Sequence, residues 1–389
     1  MSDTPGADRA AIETHPIRFP DSDLDDLRRR LASSRLPEPM PGSGWGYGID
    51  IDWLRELLDY WRTGFDWRAV EARLNRHEHG FVAVDGLRVH FLRARSPHAG
   101  ALPLLLVHGW PGSILEFEKV IPLLVDPVAH GGSASDAFEV VAPSLPGYGL
   151  SEAPRAPGHD AKAAGRAMAG LMRALGYARW GGQGGDWGGT VVPYAAIADR
   201  ERCAGIHLNL VLARRPAEDA TELSGDELSA LVAAREYMKT GTAYQKVQTL
   251  EPDLIGVAMT DSPAALCAWI VSKFRAWSDC GGDVGKRFTR DELLANVTWY
   301  WLTRSGASAA RLYCESARSA RFGPVDEYVD VPTGCALFPR ELFLPPRAWA
   351  EKRFRVTRWT RMPSGGHFAA MEEPEALVRD VREFFRDLR

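Results

Sequence analysis

The chain has 389 residues, of which 45% are hydrophobic and 25% are charged, and its formal net charge at pH 7 is −4. This composition supports a large folded core, and it argues against both a disordered protein and a nucleic-acid-binding protein with a basic surface. No apolar run approaches the roughly 20 residues of a membrane-spanning helix, and the five Cys form no CxxC pair that would indicate a disulfide framework or a zinc site. Residues 1–13 are polar and lack the apolar stretch of a secretory signal, so we expect a cytoplasmic protein without membrane or nucleic-acid partners.

Residues 1–80 are predicted to form an N-terminal helical segment. Leu24, Leu27 and Leu31 lie three and four residues apart, which is the spacing of one helix face. A second helix is predicted to begin near Asp52, after a Gly-rich turn. No residue in this segment suggests chemistry, and we interpret it as a packing element.

Residues 81–212 are predicted to form the first part of an α/β core. Asp85-Gly86 lies between two β-rich runs, which is typical of a tight hairpin. Leu104–Val107 and Phe138–Val141 are short apolar runs suited to buried strands, and helical stretches separate them. This alternation predicts a mostly parallel central sheet with helices on both faces.

In residues 213–325 the alternation stops and helical patterns dominate, for example over Pro263–Trp277. We interpret this stretch as a helical lid inserted between strands of the sheet. Residues 326–389 are predicted to complete the core, with strands over Thr333–Phe338 and Val356–Met362 and a terminal helix.

The sharpest local feature is the sequence Gly184-Gly185-Asp186-Trp187-Gly188, which follows a predicted strand and precedes a helical run. It has the form of a nucleophile elbow, with Asp in the position where esterases carry Ser. Small neighbours are needed because bulky side chains would clash in so sharp a turn, and the helix N-terminus favours the negative charge of Asp186. The alternative interpretation is a Gly-rich turn with a capping Asp.

A second motif, His108-Gly109-Trp110-Pro111-Gly112, directly follows a predicted strand. In α/β-hydrolases a loop at this point supplies one backbone N–H to the oxyanion hole, and the residue after the nucleophile supplies the other. These donors would be Trp110 and Trp187. The same sequence also fits an ordinary tight turn.

A third motif places His367 on a Gly-rich loop near the end of the chain. The order nucleophile, acid, histidine is that of the α/β-hydrolases. Asp326, Asp330 and Glu341 are candidates for the acid that orients the imidazole. Glu341 is best placed among them because it directly follows a predicted strand.

Together, these motifs resemble those of microsomal-type epoxide hydrolases, a family of the α/β-hydrolase superfamily. The resemblance runs from about Ile17 to Phe385. The sequences that carry it are Phe19-Pro20-Asp21, Gly44-Trp45, His108-Gly109-Trp110-Pro111-Gly112-Ser113, Gly185-Asp186-Trp187-Gly188, Asn209-Leu210, Asp261-Ser262-Pro263, Pro332-Thr333-Gly334, Phe338-Pro339, Gly365-Gly366-His367-Phe368-Ala369-Ala370 and Glu372-Glu373-Pro374. The family implies an α/β-hydrolase fold, an N-terminal segment that wraps around the core, and a helical lid.

The resemblance also implies roles for five residues. Asp186 would attack an epoxide carbon and form a covalent alkyl ester. The lid residues Tyr244 and Tyr313 would donate protons to the epoxide oxygen. His367, oriented by Glu341, would activate water to hydrolyse the ester and release a vicinal diol.

The expected partners are a small epoxide and water, and neither a metal nor an organic cofactor would be needed. A homodimer is compatible with the sequence but is not decided by it. Vertebrate members of the family carry an N-terminal membrane anchor. We expect none here, since no apolar run is long enough, and the chain therefore resembles soluble microbial relatives, some of which serve natural-product biosynthesis.

Two alternatives from other functional classes remain open. A haloalkane dehalogenase also uses an Asp nucleophile and a His base, and Trp110 and Trp187 could bind the released halide. The paired lid tyrosines favour the epoxide instead. A non-catalytic ligand-binding protein on a hydrolase scaffold is the other alternative, and it would not need Asp186, Glu341 and His367 together.

Overall fold

Nine strands form one continuous sheet in the computed structural model, which describes residues 12–217 and 222–389. The first eleven residues, on which the expectation about a secretory signal largely depends, and residues 218–221 of the predicted lid lie outside the described residues. The strands are β1 (Glu13–Thr14), β2 (Glu78–Val84), β3 (Leu87–Ala94), β4 (Leu102–Val107), β5 (Phe138–Pro143), β6 (Trp180–Gly184), β7 (Cys203–Leu208), β8 (Val329–Leu337) and β9 (Phe354–Arg361).

The order of the strands across the sheet is β1-β2-β3-β5-β4-β6-β7-β8-β9. The pairs from β1 to β5 in this order are antiparallel, and the pairs from β5 to β9 are parallel. The predicted mostly parallel sheet is therefore confirmed. The predicted hairpin is also present, since Asp85-Gly86 joins β2 to β3.

Strand β8 is longer than the sequence predicts, because it begins at Val329 and not at Thr333. Val329 and Val331 are buried while Asp330 between them is exposed, which is the alternation of a strand. Pro332 interrupts this pattern. It has no N–H to donate, and the pairing with β9 is irregular between Val329 and Pro332.

The N-terminal segment contains α1 (Asp21–Ala32), α2 (Ile51–Thr63) and α3 (Trp67–Leu74). The periodic leucines of α1 are buried, as their spacing predicts. Trp61 of α2 donates its indole N–H to Thr298 at 2.9 Å, across 237 residues of chain. The segment therefore packs against the helices of the predicted lid as well as against its own neighbours.

Three helices follow the first parallel strands and flank the sheet. They are α4 (Val120–Val125) after β4, α5 (Ala161–Ala174) after β5 and α6 (Gly188–Ala198) after β6. Helix α6 is buried from Gly188 to Ala196, because it packs against α5 as well as against β6 and β7. The buried first turn of α6 therefore directly follows the elbow, at the carboxyl end of the central strand β6.

Between β7 and β8, the residues that the structure describes form six α-helices. They are α7 (Gly225–Thr240), α8 (Ala243–Leu250), α9 (Pro252–Asp261), α10 (Pro263–Trp277), α11 (Arg290–Thr303) and α12 (Gly306–Arg318). This region confirms the predicted helical lid, and α10 has the bounds that the sequence predicts. The domain boundaries at residues 80, 212 and 325 stay a prediction.

The chain ends with α13 (Arg347–Glu351), α14 (Ala369–Glu372) and α15 (Pro374–Phe385). Helix α15 buries Leu377, Val381, Phe384 and Phe385 on one face. This amphipathic helix covers one side of the sheet and completes the α/β-hydrolase fold.

Candidate active site

Asp186 lies on the sharp turn between β6 and α6. Its φ is 49°, in the left-handed region that non-glycine residues rarely adopt. The chain can turn here because Gly188 has no side chain, and a Cβ atom at that position would lie 2.1 Å from the carbonyl oxygen of Val107. Trp187, not Asp186, is the N-cap of α6, and α6 has no side-chain cap. The interpretation of Asp186 as a capping residue is therefore wrong.

Two groups contact the Asp186 carboxylate from different sides. The backbone N–H of Trp110 donates to Oδ1 at 2.8 Å. The imidazole Nε2 of His367 lies 3.1 Å from Oδ2. The second predicted oxyanion donor, the backbone N–H of Trp187, follows Asp186 directly, but none of the hydrogen bonds among the described residues joins it to this carboxylate.

Glu341 completes a chain of three charged groups, since its Oε1 lies 2.7 Å from Nδ1 of His367. The two residues meet because Arg340 and Gly366, which precede them, form an isolated parallel β-bridge. The backbone N–H of Leu342 donates to the same Oε1 at 2.6 Å, whereas Oε2 is buried without a hydrogen-bond partner among the described residues. Glu341 is thus held by His367 through one oxygen only.

The other two candidate acids lie elsewhere. Asp326 accepts a hydrogen bond from the hydroxyl of Tyr194 at 3.0 Å, and Asp330 lies 3.6 Å from Arg200. Neither carboxylate is among those that His367 contacts.

The charge of His367 is set by its two carboxylate neighbours. Burial disfavours the imidazolium, but Glu341 and Asp186 hold the pKa of His367 well above its ordinary value. In the free protein His367 is therefore protonated and forms ion pairs on both sides. Trp277 packs its ring at 5.1 Å from the imidazole, and the backbone N–H of His367 donates to the Trp277 carbonyl at 3.0 Å.

The two lid tyrosines lie on α8 and α12 and are both buried. Tyr244 stacks on the ring of Trp110 at a centroid distance of 5.1 Å, and Tyr313 packs edge-on against Trp187 at 4.8 Å. Burial, neighbouring phenols and the charge of Asp186 raise the pKa of both hydroxyls well above the ordinary value. Both hydroxyls are therefore protonated at neutral pH.

Asp186, Tyr244 and Tyr313 line one cavity of about 370 Å³ between the core and the lid. The remaining wall is mostly apolar and includes Leu210, Val211, Leu231, Met238, Phe322 and Phe343. A cleft of about 640 Å³ on the other side of the lid, lined by charged residues of α1, α9 and α12, contains none of the predicted site residues. We therefore place the candidate site in the smaller cavity.

Sequence reasoning could not choose among the remaining tyrosines near the lid. The hydroxyl of Tyr237 lies 3.4 Å from that of Tyr244, whereas Tyr300 donates to the Gly112 carbonyl at 2.7 Å and Tyr328 is exposed. Lys273 was missed altogether, although its ammonium lies 4.9 Å from the centre of the Tyr244 ring. Tyr237 and Lys273 belong to helices whose inward face is decided by packing.

No cluster of three or more His, Cys, Asp or Glu side chains in the described part of the chain is arranged to hold a metal ion. The described residues also contain no single helix that is long and apolar enough to cross a membrane. Only the bent pair α9 and α10 meets the length and composition limits when its two helices are taken together.

Comparisons with known proteins identify the family of this chain. The family model described as "Epoxide hydrolase N terminus" matches residues 12–117, and the model for the alpha/beta hydrolase fold matches residues 103–275. A protein of Stigmatella aurantiaca named "Putative epoxide hydrolase" is 45% identical over 379 residues, which is 97% of this chain and 86% of that protein. Epoxide hydrolase 1 of Sus scrofa is 36% identical over 412 aligned residues, which cover 98% of this chain and 91% of the pig protein.

The chain belongs to the epoxide hydrolase family.

Solved structures of this family superpose over nearly the whole enzyme. The juvenile hormone epoxide hydrolase of the silkworm Bombyx mori matches with a TM-score of 0.90 and 31% identity, over 98% of this chain and 95% of that chain. The Aspergillus niger epoxide hydrolase matches with a TM-score of 0.87 and 31% identity, over 98% and 97% of the two chains. The predicted family, fold class and enzyme class are therefore confirmed.

Proposed function

We propose that this enzyme hydrolyses an apolar epoxide to a vicinal diol through a covalent ester on Asp186. The observation that carries the proposal is an Asp on the elbow that shares one cavity with two buried tyrosine hydroxyls. An epoxide attacked by a carboxylate becomes an alkyl ester, which water can hydrolyse. A Ser at the same position would leave an ether, which water could not readily release.

In the first step a carboxylate oxygen of Asp186 attacks one epoxide carbon. The new C–O bond forms as the ring C–O bond breaks, and the departing oxygen accepts a proton from Tyr244 or Tyr313. The raised pKa of both phenols supports this role, since each carries its proton at neutral pH. Because both hydroxyls face the cavity from the lid, the epoxide oxygen would point toward the lid and the attacked carbon toward the core.

In the second step His367 acts as the base. Alkylation converts Asp186 into a neutral ester and removes one of the two charges that raise the pKa of His367. The proton that His367 gives up restores the phenol that protonated the epoxide oxygen, and the neutral imidazole can then take a proton from water. The resulting hydroxide attacks the carbonyl carbon of the ester. The bond between that carbon and the substrate oxygen breaks, and the diol leaves as Asp186 recovers its charge. The Trp110 N–H stabilises the oxyanion that forms in between.

The wall of the cavity limits the substrate class. Most of its lining side chains are aliphatic or aromatic, and its volume of about 370 Å³ lies at the small end of the range for ligand pockets. An uncharged alkyl or aryl epoxide fits this lining. Thr190, Arg214 and Gln245 are the polar members of the lining besides the site residues, so a charged substituent elsewhere on the wall would lose its hydration against apolar side chains.

The dehalogenase alternative has one observation in its favour. The indole N–H groups of Trp110 and Trp187 are buried and have no hydrogen-bond partner among the described residues. Such N–H groups could hold a halide. A dehalogenase would not require the two protonated phenols. The two functions also differ in the electrophile that alkylates Asp186, which is an epoxide in one case and a haloalkane in the other.

The test uses the variant His367→Gln and the intact mass of the protein after incubation with aryl epoxides, alkyl epoxides and chloroalkanes. We expect a mass increase equal to the whole epoxide, mapped to Asp186, and a kcat about 10³-fold or more below wild type. The double variant Asp186→Asn/His367→Gln is the control and should gain no mass. An adduct from chloroalkanes alone would instead support the dehalogenase, and normal steady-state turnover by His367→Gln would exclude His367 as the base.

A further inference from the structure

A second, much smaller cavity of about 20 Å³ lies on the other side of the Asp186 carboxylate. Asp186 lines both cavities, whereas His367 and Glu116 line only the small one. Gln183 and Asn209 add polar walls, and the Gln183 amide donates to the Asn209 oxygen at 2.7 Å. The carboxylate thus separates an apolar compartment from a polar one.

The volume of the small cavity suits a single water molecule. A site needs about 10–15 Å³ of this volume and two to four polar partners to hold one water. Asp186, His367 and Glu116 provide such partners around about 20 Å³. The cavity is too small for an organic substrate, so water is the ligand that its size and chemistry select.

Glu116 reaches this cavity because of a local feature of the oxyanion loop. It lies in the short 3₁₀ helix Ile114–Phe117 and folds back over Gly112. A Cβ atom at Gly112 would lie 1.2 Å from Oε1 of Glu116, so any larger residue there would displace the carboxyl group. The Gly of this motif therefore creates the space that Glu116 occupies.

We propose that this small cavity is the site of the hydrolytic water, and that Glu116 accepts a hydrogen bond from that water while His367 removes its other proton. The inference rests on the proposed function and adds one residue to it. The water would approach the ester from the side opposite the apolar cavity. Ring opening would then occur on one side of Asp186 and ester hydrolysis on the other.

The electrostatics of Glu116 agree with this arrangement. Burial raises the pKa of Glu116 to about 8, the charge of Asp186 adds to this effect, and His367 opposes it. In the free enzyme Glu116 is therefore mostly neutral near pH 7. A neutral carboxyl group keeps a carbonyl oxygen that accepts a hydrogen bond, which is the role proposed for Glu116 toward the water.

The test is a rapid-quench measurement of the Glu116→Leu variant, which removes the hydrogen-bond acceptor, with an aryl epoxide that alkylates the wild-type enzyme. Intact mass follows the formation and decay of the ester on Asp186. We expect the decay rate to fall about 10- to 100-fold, as for loss of one hydrogen bond to a reacting group, while the formation rate changes less than about threefold. Gly112→Ala should show the same selective slowing, because its Cβ displaces the Glu116 carboxyl.

Glu118→Leu is the matched control, because Glu118 lies two residues away, pairs with Arg73 at 3.2 Å and does not line the cavity. It should change neither rate. Equal slowing of formation and decay in Glu116→Leu would indicate a structural role and overturn the inference, and so would an unchanged decay rate. A wild-type enzyme that forms neither ester nor diol from any epoxide would instead contradict the proposed function itself.

Discussion

Among the described residues, two pairs of a histidine and a carboxylate are fully buried, and they differ in how completely the carboxylate is hydrogen-bonded. His367 and Glu341 meet at 2.7 Å in the candidate site, and His207 and Asp380 meet at 2.9 Å between β7 and α15. All four side chains are essentially inaccessible to solvent. Chemically similar pairs in similar burial can therefore be compared directly.

We call the pair between β7 and α15 the closed pair, because both carboxylate oxygens of Asp380 accept hydrogen bonds. Asp380 accepts hydrogen bonds from His207, from Arg358 at 2.7 Å and from Thr360 at 2.8 Å. Burial opposes the charge of Asp380, but these donors lower its pKa to about 2. The Nδ1 atom of His207 has no hydrogen-bond partner among the described residues. Neither His207 nor Asp380 lines the two cavities at Asp186, so we expect this pair to contribute to stability and not to chemistry.

We call the pair of His367 and Glu341 the open pair, because one carboxylate oxygen has no partner among the described residues and the imidazole continues to a group beside the cavities. Glu341 leaves Oε2 without a partner, and His367 passes its second nitrogen to Asp186, whose side chain is 19% exposed toward the cavities. An ion pair that ends at a cavity can change its charges when a substrate binds there. In the proposed function, the pair at the cavity acts in chemistry because the charge of Asp186 beside it changes on alkylation.

The largest expected effect is on the open pair. Glu341→Gln should lower kcat about 10³-fold, because an amide can hold the wrong tautomer of His367 and no longer stabilises the imidazolium. The free energy of unfolding should change by less than about 1 kcal/mol, since Glu341 is bound through one oxygen and its burial is costly. Steady-state kinetics and urea unfolding would measure both. A kcat within tenfold of wild type would place Glu341 outside the mechanism.

The closed pair should respond in the opposite way. Asp380→Asn should lower the free energy of unfolding by about 3 kcal/mol, because it leaves His207 and Arg358 with a neutral partner in a buried position. The value of kcat should stay within about twofold at temperatures where the variant is folded. Loss of activity without loss of stability would show that the two pairs are coupled.

The pH dependence of stability is a further check on Asp380. Its pKa is about 2 in the folded protein and 3.8 ordinarily, so the ionised form stabilises the fold by about 2.5 kcal/mol above pH 3.8. This contribution should be lost as the pH falls from 3.8 toward 2. Asp380→Asn should lack that part of the acid sensitivity, and an identical pH profile in both proteins would contradict the assignment.

The smallest expected effect concerns Tyr237, which extends the site by one hydroxyl. Tyr237→Phe removes a contact of 3.4 Å to Tyr244 and should slow ring opening about 2- to 10-fold. Tyr244→Phe should slow it more, because Tyr244 faces the epoxide oxygen directly in the proposed reaction. Single-turnover rates of the two variants would rank them. A larger effect of Tyr237→Phe would make Tyr237 the proton donor.

The sequence alone determined the elements whose cause is local. The elbow around Asp186 requires small residues at the turn itself, and the chain order from Asp186 to Glu341 to His367 is readable without any fold. The helix α10 and the hairpin at Asp85-Gly86 follow from local spacing and turn chemistry. In each case the residues that decide the structure lie within a few positions of one another.

Only the tertiary structure decided which lid side chains face Asp186. Tyr237 and Tyr244 meet over the cavity while Tyr300 turns away, because the inward face of each lid helix depends on packing against the core and the N-terminal segment. The position of Glu116 was likewise decided only by the tertiary structure. Its carboxyl group occupies the space that Gly112 leaves free, and it lines the same cavity as His367, which lies near the other end of the chain. Contacts between residues so distant in sequence leave no periodic pattern along the chain.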